Sequence, residues 1–309
     1  MSERTVCAAI VTYNRKCLLE RCLINILSQD YSVSRIIIVD NHSSDRSKEY
    51  IFQKLFQRIC QRKIYFSWIR LSENLGGAGG FNKAVEIFMT EGDEDFLWLM
   101  DDDGFPEKHT LAELVSHADD DVFIGPIVLS DSDKTTFSFP LRLPNSLKVV
   151  ESLHDIPSNT VLIDKVVLPF NGTLISRKVI SKIGLPDKNY FIWGDEIDYT
   201  ERARNIGAKI FTVAAALYFH PKTQKIGVPM CFGLLRYNDP DSCLKLYCYC
   251  RNNFVNKRKY RGVIVAFLFV VKTLWYYSLT CPSFHKLKIC LRAFLDGLIG
   301  DFSRHKKYL

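Results

Sequence analysis

Short apolar runs that end in polar clusters recur along the first two thirds of the chain. Residues 5–11 form a β-rich run that stops at Thr12-Tyr13-Asn14-Arg15, after which Leu18, Leu19, Cys22, Leu23, Ile26 and Leu27 recur at helical spacing. Residues 35–39 repeat the pattern, ending at Asp40-Asn41-His42-Ser43-Ser44-Asp45, which is turn and helix-cap chemistry. A helix through Tyr50, Ile51, Leu55 and Phe56 follows. Residues 64–71 predict a third strand, then Asn74 and a glycine loop, then a helix through Ala84, Val85, Ile87 and Phe88. The fourth strand, 96–100, runs straight into Asp101-Asp102-Asp103-Gly104. This alternation predicts an α/β fold with a doubly wound, mostly parallel sheet flanked by helices, whose strand ends form a site.

Further on, the pattern predicts a helix over 110–117 and a strand over 122–128. Mixed polarity and three prolines make 130–165 a loop-rich insertion, suited to shaping an acceptor pocket or to lying inert on the surface. A short strand over 170–176, a short helix over 177–183, an acidic helix start at 195 and a strand over 209–213 complete this part. From residue 234 the character changes. An aromatic segment leads to Arg251-Asn252-Asn253, and a basic stretch precedes an almost wholly apolar run over 263–279, barely long enough to span a bilayer. With basic residues on both sides, that run reads as a helix lying in or against a membrane, the other reading being a helix buried on the catalytic domain.

Composition refines this picture. The chain has 309 residues with 47% apolar and 24% charged, a folded chain of one α/β domain with an appendage. Its net charge of +7 is uneven, since basic residues crowd the last third. Nucleic acid is not expected as a partner, because those residues flank apolar helices rather than an aromatic groove. The polar start and the shortness of the first apolar run predict no cleavable signal, and ten cysteines without a regular framework suit reduced thiols in a cytosol. Cys243, Cys248 and Cys250 lack the further ligands a zinc site needs and are expected to be core thiols.

Three stretches carry candidate chemistry. Three acids at the end of a buried strand need a counter-charge, and a divalent cation held by oxygen ligands is the simplest one, a solvated acidic turn being the alternative. Strand alternation puts Asp101 and Asp103 on one side and Asp102 on the other. The glycine loop Gly76-Gly77-Ala78-Gly79-Gly80 allows close approach of a ligand to backbone N–H groups, although it fits neither the Walker nor the dinucleotide spacing. The third stretch, Trp193-Gly194-Asp195-Glu196-Ile197-Asp198, either gathers acids at a helix start for dipole reasons or holds a general base whose pKa is raised by its neighbours.

Taken together, 11–15, 39–45, Asn74 with the glycine loop, Asp101-Asp102-Asp103 and 193–202 resemble the inverting, nucleotide-sugar-dependent glycosyltransferases of family 2, with the GT-A fold. The glycine loop with a triple Asp is most similar to bacterial galactofuranosyltransferases, and rhamnosyltransferases share much of it. The resemblance implies a catalytic domain over 1–225 and a membrane-associating region over 226–309. It implies that Thr12, Asn14, Arg15, Asp40, Asn74, Gly76, Gly77 and Asp102 bind the nucleotide sugar. It also implies that Asp101, Asp103 and His220 hold Mn²⁺ or Mg²⁺, that Asp195 or Glu196 is the base, and that Trp193 and Asp198 meet a sugar. Glu196 stands where the family more often has Asp. The expected donor is UDP-galactofuranose and the acceptor a lipid-linked glycan of a bacterial surface polysaccharide, at the cytoplasmic face of the membrane. The alternatives are a rhamnosyl- or other hexosyltransferase, or a non-catalytic nucleotide-sugar binder. A homo-oligomer is compatible with the sequence.

Overall fold

The computed structural model describes residues 4–143, 149–222 and 227–309. Its first half forms as the pattern predicts: β1 (Val6–Thr12), α1 (Lys16–Ile26), β2 (Arg35–Asp40), α2 (Ser47–Gln61), β3 (Tyr65–Arg70), α3 (Gly76–Glu91) and β4 (Phe96–Asp101). These four strands pair in parallel in the order β3-β2-β1-β4. The order reverses at β1, because β4 lands on the side away from β2. Such a reversal opens a crevice at the carboxyl ends of the strands, and Thr12 and Asp101 end β1 and β4 there.

The chain continues through β5 (Phe105–Pro106), α4 (Thr110–Ser116), β6 (Val122–Ser130), β7 (Thr136–Arg142), β8 (Val149–Ser152), β9 (Leu162–Asp164), β10 (Asn171–Ser176), α5 (Arg177–Ile183), α6 (Asp195–Asn205) and β11 (Lys209–His220). β10 is antiparallel to both β4 and β6, whereas β6 and β11 keep the direction of β4. His220 therefore ends on the same edge of the sheet as Asp101. The sheet is mostly parallel and flanked by helices, the GT-A arrangement that the sequence suggests.

Two expectations are corrected. The stretch 130–165 is not simply loop. β7, β8 and β9 form because Phe137, Leu141, Val150 and Ile163 bury themselves against Leu129 and Phe219. The strand expected to stop at Val213 runs to His220, because a register shift between Val213 and Leu217 absorbs the intervening alanines.

The chain divides into two compact units. The second gathers Gly76–Gly79, Asp187–Glu201 and the described C-terminal residues from 227, and the first holds the rest. In the first unit both faces of β1 are buried. Val6, Ala8 and Ile10 pack with Leu19, Leu23, Ile51 and Leu55 of α1 and α2, so the 3.6-residue stripes of the helices meet one side of the sheet. In the second unit β12 (Val228–Met230) and β13 (Leu235–Tyr237) form a hairpin, followed by α7 (Cys243–Arg261), α8 (Val263–Trp275) and α9 (Phe284–Ile299). Ser242 and Ser283 cap α7 and α9 by accepting the N–H of Lys245 and Lys286. Gly262, at φ +91, lets the chain leave α7 and re-enter helix at once, a conformation that L side chains rarely adopt. Tyr247, Cys248, Cys250, Phe269, Tyr276, Cys290 and Phe294 fill this unit's core, so Cys248 and Cys250 are core thiols as expected, whereas Cys243 is only partly buried at its margin.

Candidate active site

In the first unit the site starts at Asp102. β4 ends at Asp101 and the chain turns, so strand alternation does not reach Asp102 and Asp103. The expected split of the three carboxylates is therefore replaced by a shared partner. Arg15 Nη1 lies 3.1 Å from Asp102 Oδ1 and 2.9 Å from Asp103 Oδ2. Thr12 Oγ1 donates to Asp102 Oδ2 at 2.7 Å. Burial pushes the Asp102 carboxyl up to about 6, with Arg15 and Thr12 pulling the other way. Burial and its two acidic neighbours push Asp101 well above the usual range. Burial also opposes the charge of Asp103, but His220 and Arg15 outweigh it and hold that carboxyl below its ordinary value.

Asp103 Oδ1 is buried and no hydrogen-bond donor is aligned with it. His220 Nε2 stands 3.2 Å away, while its Nδ1 faces Pro221 O at 2.8 Å. A carboxylate oxygen facing an imidazole nitrogen, with no other side chain on it, is a pair of donors that a divalent cation can share. Among the described residues no three His, Cys, Asp or Glu groups converge into a complete cage. Asp101 thus does not complete a three-ligand set with Asp103 and His220 here. A cation of the magnesium class is typically held by one or two carboxylates together with substrate phosphates. Arg21 steadies the turn, since its Nη2 donates to Asp103 O at 3.0 Å and its Nη1 meets Asp131 Oδ2 at 3.2 Å.

The neighbouring strand ends are anchored to one another. Asn14, at φ +54, accepts the Ser44 N–H on its side-chain oxygen at 2.7 Å, and Asp40 Oδ1 accepts the Ser43 N–H at 2.7 Å. Both side chains therefore build turns here. Asn74 is half-buried one residue before Leu75, whose N–H donates to Asn41 Oδ1 at 2.9 Å.

The glycine stretch is not an exposed loop. α3 begins at Gly76, and in the second unit Ala78 N–H donates to Phe191 O at 3.0 Å. A Cβ on Gly76 would stand 2.0 Å from that carbonyl oxygen, so glycine is required for close packing at a position of φ +70. Gly77 is half-buried beside it.

The acidic helix start lies in the second unit. Asp195 opens α6 and is buried, while Trp193 is 43% exposed. Glu196 Oε2 accepts the Gly194 N–H at 2.6 Å. Burial raises the Glu196 carboxyl, partly offset by bonds to its own backbone, to Asp195 and to Gly194. Asp198 is buried and bound by Lys259 Nζ at 2.8 Å and Tyr260 Oη at 2.6 Å. That carboxylate is engaged in joining α6 to α7 rather than displayed to a sugar.

The sequence reading passed over what holds this loop. Phe191, Trp193 and Gly194 all have positive φ. Asn252 Nδ2 lies within 3.0 Å of the carbonyl oxygens of Tyr190, Ile192 and Trp193. Arg251 Nη2 donates to Tyr190 O at 2.9 Å, and Asn256 Nδ2 to Gly194 O at 2.8 Å. Arg251, Asn252 and Asn256 are buried, and polar residues inside an otherwise aromatic helix segment were the available signal.

Comparison with known proteins agrees with this geometry. Residues 7–184 match the model of the family described as glycosyl transferase family 2. The galactofuranosyltransferase GlfT1 of Mycolicibacterium smegmatis is 30% identical over 257 residues, covering 80% of this chain and 81% of that one. Among solved structures, S. aureus TarS 1-349 in complex with UDP-GlcNAc superposes with a TM-score of 0.57 at 13% identity, over 95% of this chain and 81% of that one. The mannosyltransferase PcManGT from Pyrobaculum calidifontis, in complex with GDP-Man and Mn²⁺, does so with a TM-score of 0.55 at 14% identity, over 96% and 76%. The reversal of strand order at β1, the acids that end β4 and the matched family thus agree: this chain belongs to glycosyl transferase family 2 and is a glycosyltransferase enzyme similar to galactofuranosyltransferases.

Proposed function

We propose that this enzyme transfers galactofuranose from UDP-galactofuranose to a lipid-linked glycan acceptor, as a step in building a bacterial cell-surface polysaccharide. The observation that carries this reading is the Asp103 carboxylate, held by Arg15 on one oxygen and facing His220 Nε2 at 3.2 Å on the other. Asp103 and His220 would hold Mn²⁺ or Mg²⁺, with Asp101 near enough to be felt electrostatically by its acidic neighbours. A bound cation of this kind supplies positive charge for the diphosphate that leaves. Arg15 and Thr12 keep Asp102 in place, and the carboxyl end of β1 offers its donors to the nucleotide. Asp195 or Glu196 takes the proton from the acceptor hydroxyl, whose oxygen then displaces the diphosphate in line with inversion. Glu196 suits the role because its raised pKa makes it a stronger base than an ordinary carboxylate.

The acceptor's lipid part is supported by the second unit. Val263–Thr280 is the one helix among the described residues long and apolar enough to cross a membrane, and only 28% of it is buried. Ile264, Phe267 and Leu268 on α8 and Leu295, Leu298 and Ile299 on α9 are all more than half exposed. We read this as peripheral attachment to the cytoplasmic face, where the ten cysteines, all free, stay reduced.

The test is release of UDP with Mn²⁺ and a lipid-linked galactosyl acceptor analogue, across UDP-galactofuranose, UDP-galactopyranose, UDP-glucose, UDP-N-acetylglucosamine and dTDP-rhamnose. Turnover with UDP-galactofuranose alone is expected. Turnover with another donor would discard the galactofuranose assignment and keep the mechanism.

A further inference from the structure

The second unit contains a groove of about 460 Å³ that the proposed chemistry does not use. That volume is within the range of sites for small molecules. Met230 and Phe269 are buried along it, and Leu268 and Trp275 are exposed at 58% and 41%. Two lysines, Lys257 from α7 and Lys272 from α8, line the same groove.

Several other cations of this unit are paired with carboxylates. Lys259 is paired with Asp198, Arg261 with Glu201, Lys286 with Asp239 and Arg292 with Asp296. Among the described residues no carboxylate pairs with Lys257 or Lys272. Each instead lies over an aromatic ring, Lys257 Nζ at 5.4 Å from the Phe269 centroid and Lys272 Nζ at 5.9 Å from that of Tyr237. Burial pushes both ammonium groups down, and for Lys257 the field of Lys272 adds to it. Two like charges in an apolar concavity are unfavourable until an anion shares them. A free inorganic anion would leave the apolar walls wet. The complementary ligand is an amphiphile with a phosphate at one end and a hydrocarbon chain at the other. The exposed side chains of α8 continue from the groove wall, so such a molecule is available wherever that helix meets a leaflet.

We propose that the groove takes one anionic glycerophospholipid from the membrane, its phosphate between Lys257 and Lys272 and the start of its chains along Leu268, Phe269 and Trp275. This rests on the peripheral-membrane reading above. It adds a specific headgroup site to a contact that apolar insertion alone would leave indifferent to headgroup.

The experiment is flotation of the full chain with vesicles of phosphatidylcholine alone and of phosphatidylcholine mixed with phosphatidylglycerol. Wild type is compared with Lys257→Gln/Lys272→Gln and with Lys306→Gln/Lys307→Gln, which removes the same charge outside the groove. Thermal unfolding and turnover on a short soluble acceptor check that each variant is folded. We expect wild type and the Lys306/Lys307 variant to prefer the anionic vesicles, and the groove variant to lose that preference by about tenfold or more. Equal losses in the two variants would overturn the groove in favour of diffuse charge. Wild-type binding by the groove variant would overturn it while leaving peripheral attachment in place. A raised KM for the lipid-linked acceptor with unchanged vesicle binding would assign the groove to the acceptor's phosphate instead. Failure of wild type to bind either vesicle would overturn the peripheral reading and the groove with it.

Discussion

The two acidic clusters are built on opposite principles. The acids that end β4 are met by side chains delivered from other parts of the sheet edge, Thr12, Arg15 and His220, the last standing 3.2 Å from Asp103 Oδ1. The acids that begin α6 are met by backbone and by α7, and the loop before them is gripped through its carbonyls by Arg251, Asn252 and Asn256. On the reading proposed above, the first cluster takes an added positive charge. On the same reading the second supplies the base, with the Glu196 carboxyl raised by burial, while Asp198 is paired with Lys259. Equal counts of acids thus meet different surroundings, and what distinguishes them is which groups answer the charge.

The largest expected effect falls on the α6 cluster. Replacing the base by alanine should cost on the order of 10²–10⁴ in turnover, so Asp195→Ala and Glu196→Ala, measured singly, should differ sharply. Wild-type turnover from both would end the assignment of a base to this helix. The pH profile sharpens the same point. A raised carboxyl pKa keeps Glu196 protonated to higher pH, so the acid limb of kcat/KM should lie above the ordinary carboxylate range and move in Glu196→Asp. A limb at an ordinary carboxylate value in both enzymes would remove Glu196 from the role.

The β4 cluster should respond in binding instead. Asp103→Asn should weaken Mn²⁺ binding, followed by the ion's own spectroscopic signal without nucleotide, by at least the roughly 10–100-fold typical of changes around a metal site. Unchanged affinity would mean that the Asp103 carboxylate is not a ligand. Asn252→Ala leaves buried carbonyls of 190–193 short of a donor, which should lower stability by about 1–3 kcal/mol. It should also reduce kcat with little change in donor KM. An equal fall in stability with full kcat would make the grip purely structural. Lys259→Met should do least, about 1 kcal/mol or less by thermal unfolding, because Lys259 is half exposed and Tyr260 still donates to Asp198.

The strands and their polar ends were legible because buried parallel strands are continuous apolar runs and helices repeat every 3.6 residues. The direction of β10 was not, since nothing within Asn171–Ser176 records that its partners, β4 and β6, run the other way. The strands hidden in 130–165 were masked by prolines, Pro140 among them, although Phe137 and Leu141 alternate around a buried face. In the site, the family resemblance pairs Asp103 with His220, and the structure sets their side chains 3.2 Å apart. The role of Asp102 could not be read from the chain, because alternation fails where the strand stops. Arg251 and Asn252 stand out as polar residues in an aromatic segment, but their partners do not. The two side chains bind carbonyl groups about 60 positions away, and a carbonyl has no sequence signature.

The grip of α7 on residues 190–194 also bears on how this enzyme can be handled at the bench. A greasy C-terminal third invites removal to make a more tractable fragment. Ending the chain at 225 would discard Arg251, Asn252 and Asn256, the anchors of the loop that carries Asp195 and Glu196 into α6. The result would keep the acids that end β4 and lose the scaffold of the acids that begin α6. Exchanging outward-facing residues such as Ile264, Phe267 and Leu298 for polar ones touches none of these anchors, and is the better route to a soluble, working enzyme.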